Sequence, residues 1–523
     1  MVAQNDESKQ PNVLFIICDQ LRGDHLGFAG NGVVRTPNID RIASSGMVFG
    51  NSYVSNPVCM PSRSSIMTGR MPSAHGVVFN DRSLDPNDAT FVRELRNAGW
   101  KTALLGKSHL QHGTSREAIV PLGGTPGRSS AHDAGWDTIE HPERYEAGDV
   151  PTIDDFYGFG HVEFALGHGA QVGGHHYKWA LERGATPDQL ADALDPAKNV
   201  ELRIGDWWQI HPAPYAEEIH STSFVTERTV SFIEGAVESG EPWLAWCSFP
   251  DPHHPMSPPE PWFSRHDPAD MVLPDSFDAP EADTPAHLER LRSNPSKANE
   301  NFWVLPFGPT ADEARAAIAV TYGMVEAIDD GIGQILDTLD RLDLADDTII
   351  VFTSDHGDMM GDHGVLLKSA MHYQGCVRTP LIIHSPGHSA GHTASLASNI
   401  DLSRTLLDLC GLDGYQGMQG RSLVPVLDDS SASVRDSVMV EEDLPIAMVM
   451  PIAPLQTRSV LTERYRYTRD TDGNEMLFDL VEDPNEVSNI AATNDAVRTE
   501  MLGLFADQML AATDMTRTEP VAT

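Results

Sequence analysis

Three continuous apolar runs constrain the fold of this 523-residue chain more than any other feature. They cover Asn12–Cys18, Trp243–Phe249 and Thr348–Ser354. Runs of this length without polar alternation are typical of strands that are buried on both faces, as in parallel sheets covered by helices on each side. A helical apolar pattern over 312–342 leads into the third run. The sequence therefore predicts an α/β fold with a large, mixed, mostly parallel sheet flanked by helices.

The pattern of apolar and polar residues changes beyond about residue 430. Here apolar and polar residues alternate, which is typical of an antiparallel sheet with one wet face. The alternating segments are 458–462, 464–468 and 476–480. Residues 482–486 are then expected to open a terminal helix. We predict a smaller C-terminal α+β subdomain over 431–523, carrying an antiparallel sheet and that helix.

Residues 1–430 are expected to form the larger, catalytic domain, with irregular insertions near 112–215 and 258–310. The first insertion is rich in glycine, histidine and proline. Long irregular stretches are often lids or binding loops, so we expect selectivity for the substrate to lie in 112–215. A further strand is predicted over 377–383 from its apolar run.

Candidate metal ligands follow two of the apolar runs directly. Asp19 comes after the first run, and Asp355 and His356 come after the third. Ligands of open α/β sheets bind at the carboxyl ends of the strands, so these side chains are expected to form a cage for one divalent cation. Carboxylate oxygens suit Ca²⁺, Mg²⁺ or Mn²⁺, and the imidazole favours Mn²⁺ somewhat. For Asp19 the alternative is a helix N-cap.

A second candidate site lies in the stretch Cys-Met-Pro-Ser-Arg-Ser-Ser-Ile-Met-Thr-Gly-Arg at residues 59–70. Pro61 fixes φ, and the run from Ser62 to Thr68 is expected to begin a helix capped by serine hydroxyls. Cys59 would then lie just before a helix N-terminus, where unpaired N–H groups and the helix dipole favour an anion. The alternative is a buried free cysteine that packs as a small apolar side chain.

Lys107 and His109 follow a short predicted strand between Gly99 and Gly106. Alternate residues of an extended segment point the same way, so both side chains are expected to face one pocket. The alternative is a solvated Lys–His pair on the surface.

The Cys-x-Pro-Ser-Arg motif followed by Thr-Gly-Arg resembles the signature of the type I, formylglycine-dependent sulfatases of the alkaline phosphatase superfamily. The resemblance implies an alkaline phosphatase-like fold and hydrolysis of sulfate monoesters, as in arylsulfatases. It also implies that Cys59 is oxidised to formylglycine by a formylglycine-generating enzyme. One divalent metal is implied, with Ca²⁺ as the first candidate and Mn²⁺ or Mg²⁺ as alternatives.

Residue roles carry over from the family only where its motifs match. The implied catalytic residues are Cys59, Arg63, Lys107, His109, His253 and Lys368. The implied substrate-binding residues are Asn80, Lys107, His253 and Lys368. The implied metal ligands are Asp19, Gln20, Cys59, Asp355 and His356. In this scheme Lys107 and Arg63 stabilise the nucleophile, while Lys368 and His253 clamp the sulfuryl oxygens and one of them protonates the leaving alcohol. His109 accepts the proton of the second formylglycine hydroxyl, and the sulfated formylglycine then breaks down to release sulfate. The neighbouring His254 could replace His253.

Two positions depart from the common sulfatase pattern. Gln20 stands where sulfatases have a second carboxylate, and His356 stands where many have asparagine. Both residues are similar to those of phosphonate monoester hydrolases, so a phosphonate monoester or phosphodiester hydrolase, or an enzyme acting on both classes, is the alternative. Lys107 and His109 are the sulfatase pair. An isomerase or mutase of the superfamily would carry serine or threonine as nucleophile, and a catalytically silent binding protein would lack part of the site.

Composition limits the partners and the compartment. The formal net charge of −40 makes nucleic-acid and anionic-membrane binding unfavourable, and requires local positive charge for an anionic substrate. The 5 cysteines include no close pair, which favours a reducing compartment. The amino terminus is polar and no run of about 18 apolar residues occurs, so we expect a cytoplasmic protein without a membrane span. The acidic C-terminal extension is a candidate interface of a homo-oligomer.

Overall fold

Two sheets organise the chain in the computed structural model, which describes residues 10–113, 132–193, 195–198, 200–279, 284–294, 306–444 and 455–513. The larger sheet contains β1 (Asn12–Cys18), β2 (Met47–Tyr53), β3 (Lys101–Gly106), β4 (His161–Leu166), β5 (Gly173–Gly174), β6 (Trp243–Phe249), β7 (Thr348–Ser354), β8 (Leu381–His384) and β9 (Gly391–Ser398). The smaller sheet contains β10 (Val438–Leu444), β11 (Leu455–Leu461), β12 (Tyr465–Asp470) and β13 (Glu475–Asp479).

Helices cover both faces of the larger sheet and one side of the smaller. In the described residues they are α1 (Pro37–Ser45), α2 (Cys59–Thr68), α3 (Pro72–His75), α4 (Phe91–Asn97), α5 (Pro142–Glu146), α6 (His175–Glu182), α7 (Pro187–Asp192), α8 (Ser221–Val237), α9 (Ala286–Arg292), α10 (Ala311–Arg341), α11 (Gln374–Val377), α12 (Asp401–Leu409), α13 (Val424–Asp428) and α14 (Asp495–Ala511). None of these helices is long and apolar enough to cross a membrane.

The three apolar runs are the central strands of the larger sheet, as predicted. The strand order is β5-β4-β3-β6-β1-β7-β8-β2-β9, so β1 lies between β6 and β7. It pairs with both in parallel, and Leu14 is in register with Ala245 and Ile350. Every residue of the three strands is buried. Strand β8 is antiparallel to β7 and β2, and β5 to β4, which makes the sheet mixed but mostly parallel.

The core lies on both sides of this sheet because alternate residues of a strand point to opposite faces. Leu14 and Ile16 join the cluster under α8 and α10. Val13 and Phe15 join the cluster under α4 and α12, where the Phe15 ring stacks on Trp246 with centroids 4.3 Å apart. This double coverage explains why the runs carry no polar alternation.

The insertion near 112–215 is less irregular than its composition suggested. Its residues His161–Leu166 form β4, which pairs in parallel with β3 and extends the main sheet. Gly173–Gly174 form β5, and α5, α6 and α7 also lie within this stretch. The expectation of an irregular loop is therefore wrong for this part. Its helices and strands are short and are separated by glycine turns, so their hydrophobic periodicity is too weak to be recognised in the sequence. In the described part of 258–310 the one α-helix is α9, and α10 begins at Ala311, just after this stretch.

The C-terminal antiparallel sheet is confirmed, with the order β10-β11-β12-β13. Helix α14 covers one face, where Met501 packs with Val460, Tyr467 and Leu477. The helix begins at Asp495 behind the N-cap Asn494, not at 482–486 as expected. The latter segment is a turn, in which the Asp483 carboxylate accepts backbone N–H groups that a helix would use internally. The domain boundary at 430/431 stays a prediction.

The strand predicted over 377–383 is shorter than expected. Helix α11 ends at Val377, and β8 begins only at Leu381. Pro380 lacks an N–H donor, so the ladder starts after it.

Candidate active site

The carboxyl ends of the central strands bring together residues that are far apart in sequence. Asp19 follows β1 and donates its N–H to Phe249 O at the end of β6 (3.2 Å). Asp355 follows β7 and donates its N–H to Cys18 O (3.2 Å). The Gln20 N–H then donates to Asp355 Oδ1 (3.1 Å), which ties the two acidic strand ends to each other. The predicted convergence of Asp19 and Asp355 is therefore confirmed.

Helix α2 begins at Cys59 itself, and Val58 is its N-cap without a side-chain cap. The expected serine cap is wrong, because the Ser62 hydroxyl donates to Asp355 O (2.5 Å) instead. Asn80 Oδ1 accepts the N–H of Met60 (3.0 Å), so Asn80 holds the first turn of the helix. Cys59 is buried, with an exposed fraction of 1%.

Four side chains that can bind a metal meet at this point: the ligand atoms of Asp19, Cys59, Asp355 and His356 all lie within 4.8 Å of one another. Cys59 Sγ is 3.1 Å from His356 Nε2 and 3.8 Å from Asp19 Oδ1. His356 Nδ1 lies 2.9 Å from Gly357 O, which directs Nε2 into the cluster. Burial lowers the pKa of His356 to about 3, so the imidazole is neutral and has a lone pair for a cation.

Cations from three separate segments of the chain surround the carboxylates. Arg63 Nε donates to Asp355 Oδ2 (2.6 Å), and its Nη1 donates to Lys107 O (3.1 Å). Lys107 Nζ contacts Asp19 Oδ2, and Lys368 Nζ is 3.4 Å from Cys59 Sγ. Burial alone would raise the pKa of Asp355, but Arg63 and the other nearby positive charges hold it below its usual range. This is the local positive charge that an anionic substrate requires in so acidic a chain.

Burial also shifts the pKa values of the Cys59 thiol and of Lys107. Burial raises the pKa of Cys59, and the charge of Lys368 opposes that shift only in part. Burial lowers the pKa of Lys107 to about 7, with Asp355 opposing it. An unmodified Cys59 is therefore a poor thiolate nucleophile at neutral pH.

Gln20 has a left-handed backbone, with φ of 66°. Its Nε2 donates to Asp358 Oδ2 (2.5 Å) and lies 3.1 Å from His254 Nδ1. Its Oε1 accepts from Lys368 Nζ (2.5 Å). Gln20 therefore lies beside the metal cluster and links it to Lys368. Its role as a metal ligand stays a prediction.

His168 belongs to the site and was missed by the sequence analysis. Its Nε2 lies 2.5 Å from Lys107 Nζ, and its ring stacks on His253 with centroids 3.8 Å apart. His253 in turn stacks on His254 at 4.0 Å. The side chain of His168 is 24% exposed, against 5% for Lys107, so it marks the open side of the site.

A signal for His168 was present in the sequence, since glycines flank it on both sides. Gly169 has φ of 53°, and a Cβ there would lie 2.0 Å from Pro255 O. His109 also differs from expectation, because its φ of 58° means that the segment is not extended. Its ring centroid is nevertheless 6.2 Å from that of His168, at the same pocket.

This chain is similar to known proteins over most of its length. The family model described as "Sulfatase" matches residues 11–412, which include every site residue from Asp19 to Lys368. A second model, "N-sulphoglucosamine sulphohydrolase, C-terminal", matches 361–510. An arylsulfatase of Clostridium perfringens is 27% identical over 491 residues, covering 92% of this chain and 90% of the relative. A choline-sulfatase of Rhizobium meliloti is 26% identical, covering 97% and 87%.

The fold is also similar to solved structures. The phosphonate monoester hydrolase of Agrobacterium radiobacter superposes with a TM-score of 0.77 at 26% identity, covering 98% of this chain and 99% of that one.

Proposed function

The chain belongs to the sulfatase family, and from that premise we propose that it hydrolyses sulfate monoesters with residue 59 as the nucleophile, after conversion of Cys59 to formylglycine. The observation that carries the proposal is the position of Cys59 Sγ. It lies at the start of α2, 3.1 Å from His356 Nε2 and 3.4 Å from Lys368 Nζ, inside the buried group of metal-ligand side chains. A silent binding protein would have no need to bury these charges together, because each costs desolvation free energy.

The donor set suits a hard divalent cation, with Ca²⁺ first and Mn²⁺ or Mg²⁺ as alternatives. Asp19, Asp355 and His356 would hold it, with residue 59 and Gln20 beside it. The cation would supply Lewis-acid neutralisation of the charge that develops on oxygen. Hydrated formylglycine would supply two hydroxyls on one carbon, one to attack sulfur and one whose deprotonation expels sulfate and restores the aldehyde.

Side chains around the metal site would bind the substrate and position the reacting groups. Lys368, which already reaches position 59, would bind a sulfuryl oxygen and stabilise its growing negative charge. His253 or His254 would stand at the leaving oxygen, since both rings lie in the stack that begins at His168. Lys107 would hold Asp19 in place and add positive charge, while Arg63 would orient Asp355 through the 2.6 Å hydrogen bond.

Phosphonate monoester or phosphodiester hydrolysis is the second candidate. Gln20 in place of a carboxylate lowers the negative charge at the metal cluster, and the similarity to a phosphonate monoester hydrolase covers nearly the whole chain. Sulfate and phosphonate monoesters are both monoanions with a tetrahedral central atom and an ester oxygen as the leaving group, although a carbon replaces one oxygen in the phosphonate, so one site can act on both.

The test combines mass spectrometry with two assays. Protein co-expressed with a formylglycine-generating enzyme is digested, the peptide over residue 59 is weighed, and turnover of an aryl sulfate and an aryl phosphonate is compared. The aldehyde mass with faster sulfate turnover supports the first proposal, and the aldehyde with faster phosphonate turnover supports the second. An unmodified thiol with no turnover of either ester contradicts both. A cytoplasmic location and a homo-oligomer stay predictions.

A further inference from the structure

The residues on both sides of Lys368 have a backbone conformation that residues with a Cβ rarely adopt. The value of φ is 75° at Leu367, 88° at Ser369 and 63° at Ala370. A left-handed backbone is unfavourable for such residues and persists only where neighbours hold it, often at functional sites. The segment around Lys368 therefore needs contacts on both sides.

The first of these contacts comes from within the catalytic domain. The Leu367 N–H donates to Asp358 Oδ1 (3.0 Å), and Leu367 O accepts the N–H of Met359 (2.9 Å). Asp358 also accepts from Gln20, so the amino-terminal side of the Lys368 segment is tied to the metal cluster.

The second contact comes from the smaller sheet. Glu442 of β10 is 1% exposed, and its Oε1 accepts from the Ser369 hydroxyl (2.6 Å). The Ala370 N–H lies 3.0 Å from Glu442 Oε1 and 2.9 Å from Oε2. His372 Nε2 is 3.3 Å from Oε2, and its Nδ1 is 2.7 Å from Ser459 Oγ on β11. A buried carboxylate of the C-terminal sheet thus binds the two residues that follow Lys368.

We propose that Glu442 is a positioning residue of the active site, which fixes the Lys368 ammonium beside residue 59 by holding Ser369 and Ala370 in their left-handed conformations. The inference rests on the proposed function, in which Lys368 binds the transferred group. It gives the C-terminal sheet a part in the reaction, because a displacement of about 1 Å at a catalytic group can cost roughly 100-fold in rate.

The chain offers a matched control on the same strand. Glu441, the preceding residue, is 2% exposed and points to the other face of β10, where its carboxylate accepts from the Ser73 N–H (2.9 Å) and hydroxyl (3.1 Å). Glu442→Gln and Glu441→Gln therefore remove the same charge from the same strand at similar burial. Only the first variant disturbs the segment that carries Lys368.

The first experiment is a double-mutant cycle with Lys368→Ala, using whichever ester the wild-type holoenzyme turns over faster. We expect Glu442→Gln to lower kcat by about 10-fold or more relative to Glu441→Gln per mole of folded protein, with a smaller change in KM. In the Lys368→Ala background, Glu442→Gln should cost less than about threefold, because the group it positions is gone. An equal loss in both backgrounds would mean that Glu442 acts on the fold as a whole, and would overturn the proposal.

The second experiment does not depend on activity. Amide hydrogen exchange is measured on peptides that cover 367–372 in the wild type and in both variants. Exchange should be faster in Glu442→Gln alone, since Ala370 loses an acceptor; unchanged exchange would also overturn the proposal. Faster exchange in a protein that turns over no ester would retain the positioning role and reject only the proposed function.

Discussion

Cys59 Sγ lies 3.1 Å from His356 Nε2, although 297 residues separate the two in the chain. The contact joins the first residue of α2 to the end of β7, and so joins the candidate nucleophile to the candidate metal site. Because both residues are almost fully buried, the contact depends on how the helix packs on the sheet edge. Replacement of Cys59 tests the nucleophile, and replacement of Asp355 tests the metal site that the contact joins to it.

Replacement of the nucleophile should abolish turnover. Cys59→Ala removes the thiol that must be oxidised to make formylglycine, so no aldehyde can form at residue 59 and we expect kcat to fall by roughly three orders of magnitude or more. The melting temperature should change little, because the alanine fills most of the same space. Cys410→Ala is the control, since Cys410 packs among apolar residues away from the site. Full activity in Cys59→Ala would reject the nucleophile assignment.

Loss of one carboxylate should weaken metal binding. Asp355→Asn removes a charge that Arg63 orients and that faces His356, and we expect the affinity for the divalent cation to fall by about 100-fold or more. Titration against a chromophoric chelator measures the affinity directly. A metal at about 100 times its Kd stabilises the wild type by about 2.7 kcal/mol, and most of this gain should vanish in the variant.

The control for Asp355 is Asp329, a buried carboxylate that holds the start of α1 by accepting the N–H groups of Asn38 (3.0 Å) and Ile39 (2.8 Å). Asp329→Asn should lower stability but leave metal affinity unchanged. Equal weakening of metal binding in both variants would contradict the assigned site.

A buried histidine away from the site should make the protein less stable in acid. Burial lowers the pKa of His176 from 6.5 to about 4, and its Nε2 donates to Ile219 O (2.7 Å). Because the folded-state pKa is below the unfolded one, the unfolded chain binds the proton first as the pH falls from about 6.5 to 4, and stability is lost in that window. Titration of His176 should lower the free energy of unfolding by about 2 kcal/mol when the pH falls from about 7.5 to about 5.

His176→Gln should remove this dependence while keeping an N–H donor for Ile219 O. The free energy of unfolding in urea, measured at both pH values, should therefore differ less in the variant than in the wild type. His392→Gln, at an exposed position of β9, should leave the difference as it is. A pH difference that persists undiminished in His176→Gln would show that other groups cause it.

Gly106 is expected to tolerate no side chain. Its φ is 113°, and a Cβ would lie 1.9 Å from Ser248 O, the acceptor of the Lys107 N–H. Gly99 has a similar φ of 105° but no atom within 4 Å of its Cβ position. Gly99→Ala should cost about 1 kcal/mol through backbone strain alone, and Gly106→Ala about 3 kcal/mol or more, with loss of activity. Thermal unfolding of both variants measures the difference; equal costs would reject the steric explanation.

The main sheet was predictable because a strand that is buried on both faces consists almost entirely of apolar residues. The runs that became β1, β6 and β7 contain almost only apolar residues, and no partner needs to be known to recognise them. Strand β4 was not predictable in the same way, because its partner β3 lies about 60 residues earlier and short elements between glycines give a weak period. The terminal helix was misplaced because acidic residues mark turns as well as helix starts.

For the site, the sequence by itself determined the residue types and the strand ends that carry them. Cys59, Asp19 and Asp355 could be named from motif and position, since the carboxyl ends of parallel strands must meet at one edge of the sheet.

Only the tertiary structure decided which side chains support them. His168 reaches Lys107 from an inserted loop, and Glu442 reaches the Lys368 segment from the other sheet. The glycines that flank His168 indicate a turn but not its partner, and Glu442 has no local signal, because each contact is fixed by the packing of segments that are distant in sequence.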